Sequence, residues 1–95
     1  MIIDFHTHIH PPWLRTEREK YLERDATFAE LYKSPDAKMA TAERLIRRMD
    51  EDAVDISVVM GIGWTDLSLA RAANDYIIES IQQYPDRLVG FAGVN

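Results

Sequence analysis

The sequence predicts an α/β fold in which parallel strands alternate with helices, a βαβαβ run. Three observations carry this reading. Short β-rich segments stand at about residues 2–9, 55–61 and 87–94. Segments with apolar residues at helical spacing separate them, at about residues 41–52 and 66–84. Strands alternating with helices make βαβ units, whose short right-handed crossovers require a parallel sheet.

The first strand alternates strictly. Ile3, Phe5, Thr7 and Ile9 share one face, and Asp4, His6, His8 and His10 share the other. The mostly apolar face is expected to turn toward covering helices, and Pro11-Pro12 stops the strand. Residues 13–40 then form a charged insertion. Its stretch RTEREKYLERDATFAELY mixes both signs with apolar residues at Leu14, Tyr21, Leu22, Phe28, Leu31 and Tyr32. It reads as one or two surface helices with a solvated charged face, or functionally as a lid over a site. Ser34-Pro35-Asp36 is a helix-start signal, with a capping hydroxyl, an early proline and an acid near the positive helix end.

Ala42, Leu45, Ile46, Met49 and Ala53 define an amphipathic helix over 41–52, on which Arg47-Arg48 is a solvated basic pair. Asp55-Ile-Ser-Val-Val-Met-Gly61 is a β-rich, largely buried second strand. Gly61-Ile62-Gly63 reads as a tight turn after it. A phosphate-binding G-x-G-x-x-G is incomplete, because Asp66 stands where the last glycine would be. Thr65 or Asp66 caps the next helix, whose buried stripe runs through Leu69, Ala70, Ala73, Ile77, Ile78, Ile81 and Tyr84. Asn74 interrupts that stripe and is assigned a hydrogen bond to neighbouring backbone. Pro85-Asp86 ends the helix, and Leu88-Val-Gly-Phe-Ala-Gly-Val94 forms the third strand.

Composition excludes several classes. A chain of 95 residues has room for one domain, and 46% hydrophobic with 28% charged residues is globular in balance. A net charge of -5 argues against a nucleic-acid surface, which is normally basic. With no cysteine there are no disulfides or thiolate ligands, so any metal must rest on histidines and carboxylates. There is no signal-peptide pattern and no apolar run of membrane-spanning length, so no membrane partner is expected and a cytoplasmic location is the default.

Chemistry in parallel α/β architectures gathers at the C-terminal ends of the strands. His6 and His8 lie late in the first strand, residues 61–64 follow the second, and Asn95 closes the third. All are expected on one rim. Two histidines at i, i+2 on a strand aim at one point, as a divalent transition metal requires, zinc above all. Asp4 and His10 share that face and are the candidates to support or extend the pair. Trp64 is placed at the rim, to stack on a substrate or to pack there. The plainer reading is an edge strand with histidines in solvent.

At this point the chain resembles a known family. Asp-x-His-x-His at the start, then MDEDAVDISVVMG, Ala-Asn-Asp in the long helix and YPDRLVGFAGVN are similar to the N-terminal part of the amidohydrolase superfamily. The nearest branch is amidohydrolase-2, whose members are metal-dependent hydrolases and decarboxylases. The resemblance implies the first part of a TIM (β/α)8 barrel. It implies His6 and His8 as metal ligands, Asp4 behind them in a supporting role, and a small-molecule substrate. Zinc is the implied metal, with manganese or iron as alternatives.

A TIM barrel has eight strands in about 250 residues, and this chain supplies three strands. The family's later histidine and aspartate have no counterpart in it. The resemblance is therefore to a truncated enzyme, the front third, and the isolated chain is expected to be inactive. Its uncovered sheet edges predict a homo-oligomer. A non-catalytic oligomeric module with incidental or structural metal binding is the alternative from another class. PHP phosphoesterases and TatD-like nucleases also open with this motif, but explain YPDRLVGFAGVN less well.

Overall fold

The computed structural model describes residues 1–34 and 39–91, with only the main chain of Phe91. The elements run β1 (Ile3–Thr7), α1 (Pro12–Thr16), α2 (Arg18–Arg24), α3 (Ala26–Tyr32), α4 (Ala42–Asp52), β2 (Ile56–Met60), α5 (Leu67–Gln83) and β3 (Leu88–Phe91). The strands form one parallel sheet in the order β1-β2-β3. Ile3 lies opposite Ile56, Thr7 opposite Val59, and Ser57 opposite Leu88. The register slips between Asp4 and Thr7. This is the α/β, parallel-strand arrangement that the alternating pattern predicts.

Local chemistry sets the helix boundaries. Thr41 caps α4 by accepting the N–H of Arg44 at 3.4 Å. Asp66 caps α5 more tightly, accepting the N–H groups of Ser68 at 2.9 Å and Leu69 at 3.0 Å. The α5 helix stops before Pro85, as proline requires. The α4 helix ends on Ala53 in the left-handed region at φ 57°, a place that glycine fills with less strain. The Ser34-Pro35-Asp36 signal lies outside the described residues, as does the predicted extension of β3 beyond Phe91.

Two apolar clusters hold the chain together. One joins the sheet to its covering helices through Ile9, Ala42, Met49, Val59, Ile77 and Leu88. Alternation along β3 is visible in it: Leu88 is buried, Val89 is exposed, and a methyl on Gly90 would run into Ile81 and Ile77 of α5. The other cluster joins the insertion to the loop after β2 and to the start of α5, through Leu14, Tyr21, Phe28, Met39, Ile62, Trp64, Leu69 and Ala73. Arg87 ties the lower ends of the strands, donating to the carbonyls of Asp55 at 2.9 Å and Val54 at 3.0 Å.

Two expectations are corrected. The insertion is three short helices, not one or two, and it owns a core instead of lying on the surface. Leu14, Tyr21 and Phe28 recur every seven residues, so each of the three helices sends one large side chain inward. The apolar side of β1 is not covered as expected: Phe5 is 71% exposed and Ile3 39%. The helix-facing core packs on β2 and β3, where α5 lies against β3, and reaches the β1 segment only at Ile9. No helix among the described residues is long and apolar enough to cross a membrane.

Candidate metal centre

His6 is the penultimate residue of β1, and His8 follows the strand end by one residue. The ring of His8 is oriented by β2: its Nδ1 lies 2.9 Å from the carbonyl oxygen of Met60. A carbonyl only accepts, so Nδ1 carries the proton and, in the neutral ring, Nε2 presents its lone pair. That Nε2 stands 3.2 Å from Nε2 of His6, with the two rings edge to face at 86°.

The separation fits a shared metal. Two nitrogens each about 2.0–2.1 Å from one ion stand about 2.9 Å apart at a right angle and about 3.3 Å apart at the tetrahedral angle. The observed 3.2 Å lies inside that interval. It also suits a plain hydrogen bond from His6 Nε2–H to His8 Nε2. Either way both ε nitrogens converge on one point at the C-terminal edge of the β1–β2 pair.

Asp4 does not reach that point as a ligand. Its Oδ1 accepts the N–H of His6 at 3.1 Å, so the carboxylate stiffens the strand beneath the first histidine. This local bond sits where the β1–β2 register slips. Among the described residues no three histidine or acidic side chains come together as a metal-binding group. His6 and His8 stand as a pair of imidazoles.

His10 is turned elsewhere. It is 3% exposed, its backbone N–H donates to the carbonyl of Ala40 at 2.8 Å, and its Nε2 lies 2.9 Å from the Tyr32 hydroxyl. Burial first, then the neighbouring His8 and Arg18, lower its pKa to about 4. The ring is therefore neutral at ordinary pH. Burial raises the pKa of Tyr32, with Arg18 opposing.

Trp64 is not at an open rim in this chain. It is 2% exposed and stacks on Phe28 with centroids 5.3 Å apart. Asn95 lies outside the described residues. The turn at 61–64 is tight, with the Trp64 N–H donating to the Ile62 carbonyl at 2.9 Å.

Three residues that matter here were not singled out from the sequence. Met60 acts through its backbone oxygen, which no side-chain pattern announces. Tyr32 reads in the sequence as one more apolar residue of the insertion. Asp25 caps α3 and is 1% exposed, and its Oδ2 accepts the N–H groups of Thr65 at 2.8 Å and Asp66 at 2.7 Å. An aspartate directly before a helical run is a cap signal, and that signal was available.

No family model and no curated protein matches this chain. Solved structures do. Over 99% of its length the chain superposes on 5-carboxyvanillate decarboxylase from Novosphingobium aromaticivorans, solved with manganese and 4-hydroxy-3-methoxy-5-nitrobenzoic acid. The TM-score is 0.72 at 21% identity, and 34% of that enzyme is covered. A second match is 4-oxalomesaconate hydratase from Rhodopseudomonas palustris, with TM-score 0.59 at 22% identity, over 97% of this chain and 32% of that one. The fold is a TIM-barrel segment. The segment spans about a third of the length of each structure it matches. Both neighbours are enzymes, and one was solved with a divalent metal.

Proposed function

We propose that this barrel segment is the N-terminal part of a metal-dependent enzyme of the amidohydrolase-2 type, a hydrolase or decarboxylase of a small molecule. His6 and His8 are two of its metal ligands. The observation that carries the reading is the His6–His8 pair itself: Nε2 atoms 3.2 Å apart, with His8 held in the matching tautomer by Met60. The fold neighbours support a divalent metal, one of them having been solved with manganese. Zinc remains our assignment, because two neutral imidazoles suit it.

When bound, a divalent metal would supply Lewis acidity and lower the pKa of its water. The residues of this chain then have three tasks. His6 and His8 present lone pairs, Met60 holds the His8 proton on Nδ1, and Asp4 stiffens the strand below them. A proton-moving carboxylate does not join the pair among the described residues. Turnover by this segment alone is accordingly not part of the proposal.

Zinc content and calorimetric zinc titration of the full chain, beside His6→Ala and His8→Ala, test the site. Each substitution is expected to weaken zinc binding at least about tenfold, since a two-histidine site loses half its protein ligands. Metal content unchanged by both substitutions removes the reading.

A second reading is supported by the exposed apolar residues of β1, where Ile3 is 39% and Phe5 71% exposed on the same face. Such an edge favours self-association. In that reading the chain is a non-catalytic homo-oligomeric module, and any metal is incidental or structural.

A further inference from the structure

His8 lies between two anchors of different kinds. On one side is the end of β1 at Thr7, whose hydroxyl donates to the Val58 carbonyl at 2.7 Å. On the other side the backbone has left the sheet. There it is held by Ile9, His10 and Pro11, all buried, and by the His10 N–H bond to Ala40. The His8 ring can keep its bond to Met60 only while the backbone on both sides stays in place.

The second anchor depends on the insertion. His10 packs edge-on against Tyr32, with centroids 4.9 Å apart and planes at 84°, and its Nε2 meets the Tyr32 hydroxyl. Tyr32 closes α3 and packs on Phe28 at 5.1 Å, which stacks on Trp64 in the loop after β2. A continuous row of rings thus runs from the segment after β1, through the insertion, to the segment after β2. These are the two strands that carry His6, His8 and the Met60 carbonyl. His10 Nδ1 has no hydrogen-bond partner among the described residues. Tyr32 is therefore the polar contact that sets the angle of this ring.

We propose that Tyr32 is a positioning residue for the metal centre: its hydroxyl latches His10 and thereby fixes the backbone that presents His8. The latch, on this account, acts through the Tyr32–His10 contact and not through the general packing of the insertion. The inference rests on the reading of His6 and His8 as metal ligands.

The test is calorimetric zinc titration of the full chain in three forms: parent, Tyr32→Phe and Asp25→Asn. Tyr32→Phe keeps the ring and its packing and removes only the hydroxyl. Asp25→Asn loosens the insertion from the loop after β2 without touching His10. Supporting groups behind metal ligands are worth 10–100-fold in affinity, and this one acts one residue further away, so a loss of about three- to tenfold is expected for Tyr32→Phe. Asp25→Asn is expected to lower the melting temperature at least as much while leaving zinc affinity within about twofold of the parent. The visible spectrum of the cobalt-loaded chain should change in Tyr32→Phe and not in Asp25→Asn.

Zinc affinity of Tyr32→Phe within twofold of the parent overturns the latch while leaving the metal site standing. So does an equal loss in Asp25→Asn, which would mark general loosening. A parent chain that binds no zinc overturns the metal site, and the latch with it.

Discussion

Asp25 Oδ2 receives the backbone N–H of Asp66 at 2.7 Å, so a residue between two short helices of the insertion holds the first turn of α5. The same oxygen takes the Thr65 N–H at 2.8 Å, and Oδ1 takes that of Phe28 at 3.0 Å. Arg24 closes the cluster from outside with an ion pair to Asp66 at 3.2 Å. One carboxylate thereby joins the two halves of the second core.

Replacing Asp25 by alanine should be among the most damaging single changes in the chain. It leaves three backbone N–H groups without their acceptor in a site that is 1% exposed at Asp25. Each such group costs about 1–3 kcal/mol when water cannot replace the partner. Thr65 is exposed and Asp66 half-buried, so water recovers part of the cost and a net loss of about 2–4 kcal/mol is expected. Urea denaturation followed by circular dichroism measures it. A loss under about 1 kcal/mol would show that water enters and takes over the bonds.

Acid should loosen this corner. Burial pushes the Asp25 carboxyl up, but the bonds from Asp66, Phe28 and Thr65 outweigh burial and hold it below the usual 3.8. Asp66 is held at about 2, chiefly by the Ser68 hydroxyl and the Leu69 N–H, with burial opposing and Arg24 adding to the lowering. Both folded values lie below the unfolded one, so the unfolded chain binds protons first. The stabilisation is complete above about pH 4 and is lost as pH falls toward 2. Melting temperature measured from pH 6 to 2 should fall mainly in that window, and Asp66→Asn should flatten the fall.

Ala53 ends α4 at φ 57°. A left-handed residue with a Cβ costs about 1–2 kcal/mol, and glycine returns part of that through its freedom in the unfolded chain. Ala53→Gly should therefore stabilise by about 0.5–1 kcal/mol, read as a higher urea midpoint at unchanged slope. No gain would mean that the Ala53 methyl has packing worth as much as the strain.

The strip on β1 predicts self-association. Phe5 at 71% exposure and Ile3 at 39% stand on β1, an edge strand, and Val89 is exposed on β3 at the other edge. Light scattering at micromolar concentration should give a mass above the 11.0 kDa of one chain. Phe5→Lys should move the mass toward the monomer, because a charge on an edge strand opposes pairing. A folded parent that already scatters as a monomer overturns this prediction.

The patterns most legible in the sequence were those that repeat within one element. Ala42 and Met49 at helical spacing, and the Asp66 cap, were enough for α4 and α5. Alternation through Asp4, His6 and His8 was enough to put both histidines on one face. The insertion was less legible, because its three helices are short and each contributes a single core side chain. A face cannot be read from one residue per element.

From the sequence alone followed the parallel α/β order and the His6–His8 pair, since both depend on periodicity along a few consecutive residues. Tertiary structure alone decided that Met60 orients His8, that His10 belongs to Tyr32 and that Trp64 lies in a core. It also decided that Asp4 serves its own strand and that Phe5 is left in the open. The physical reason is the same in each case. These contacts join residues whose nearness is set by how β1, the insertion and β2 come together, and local periodicity carries no record of that.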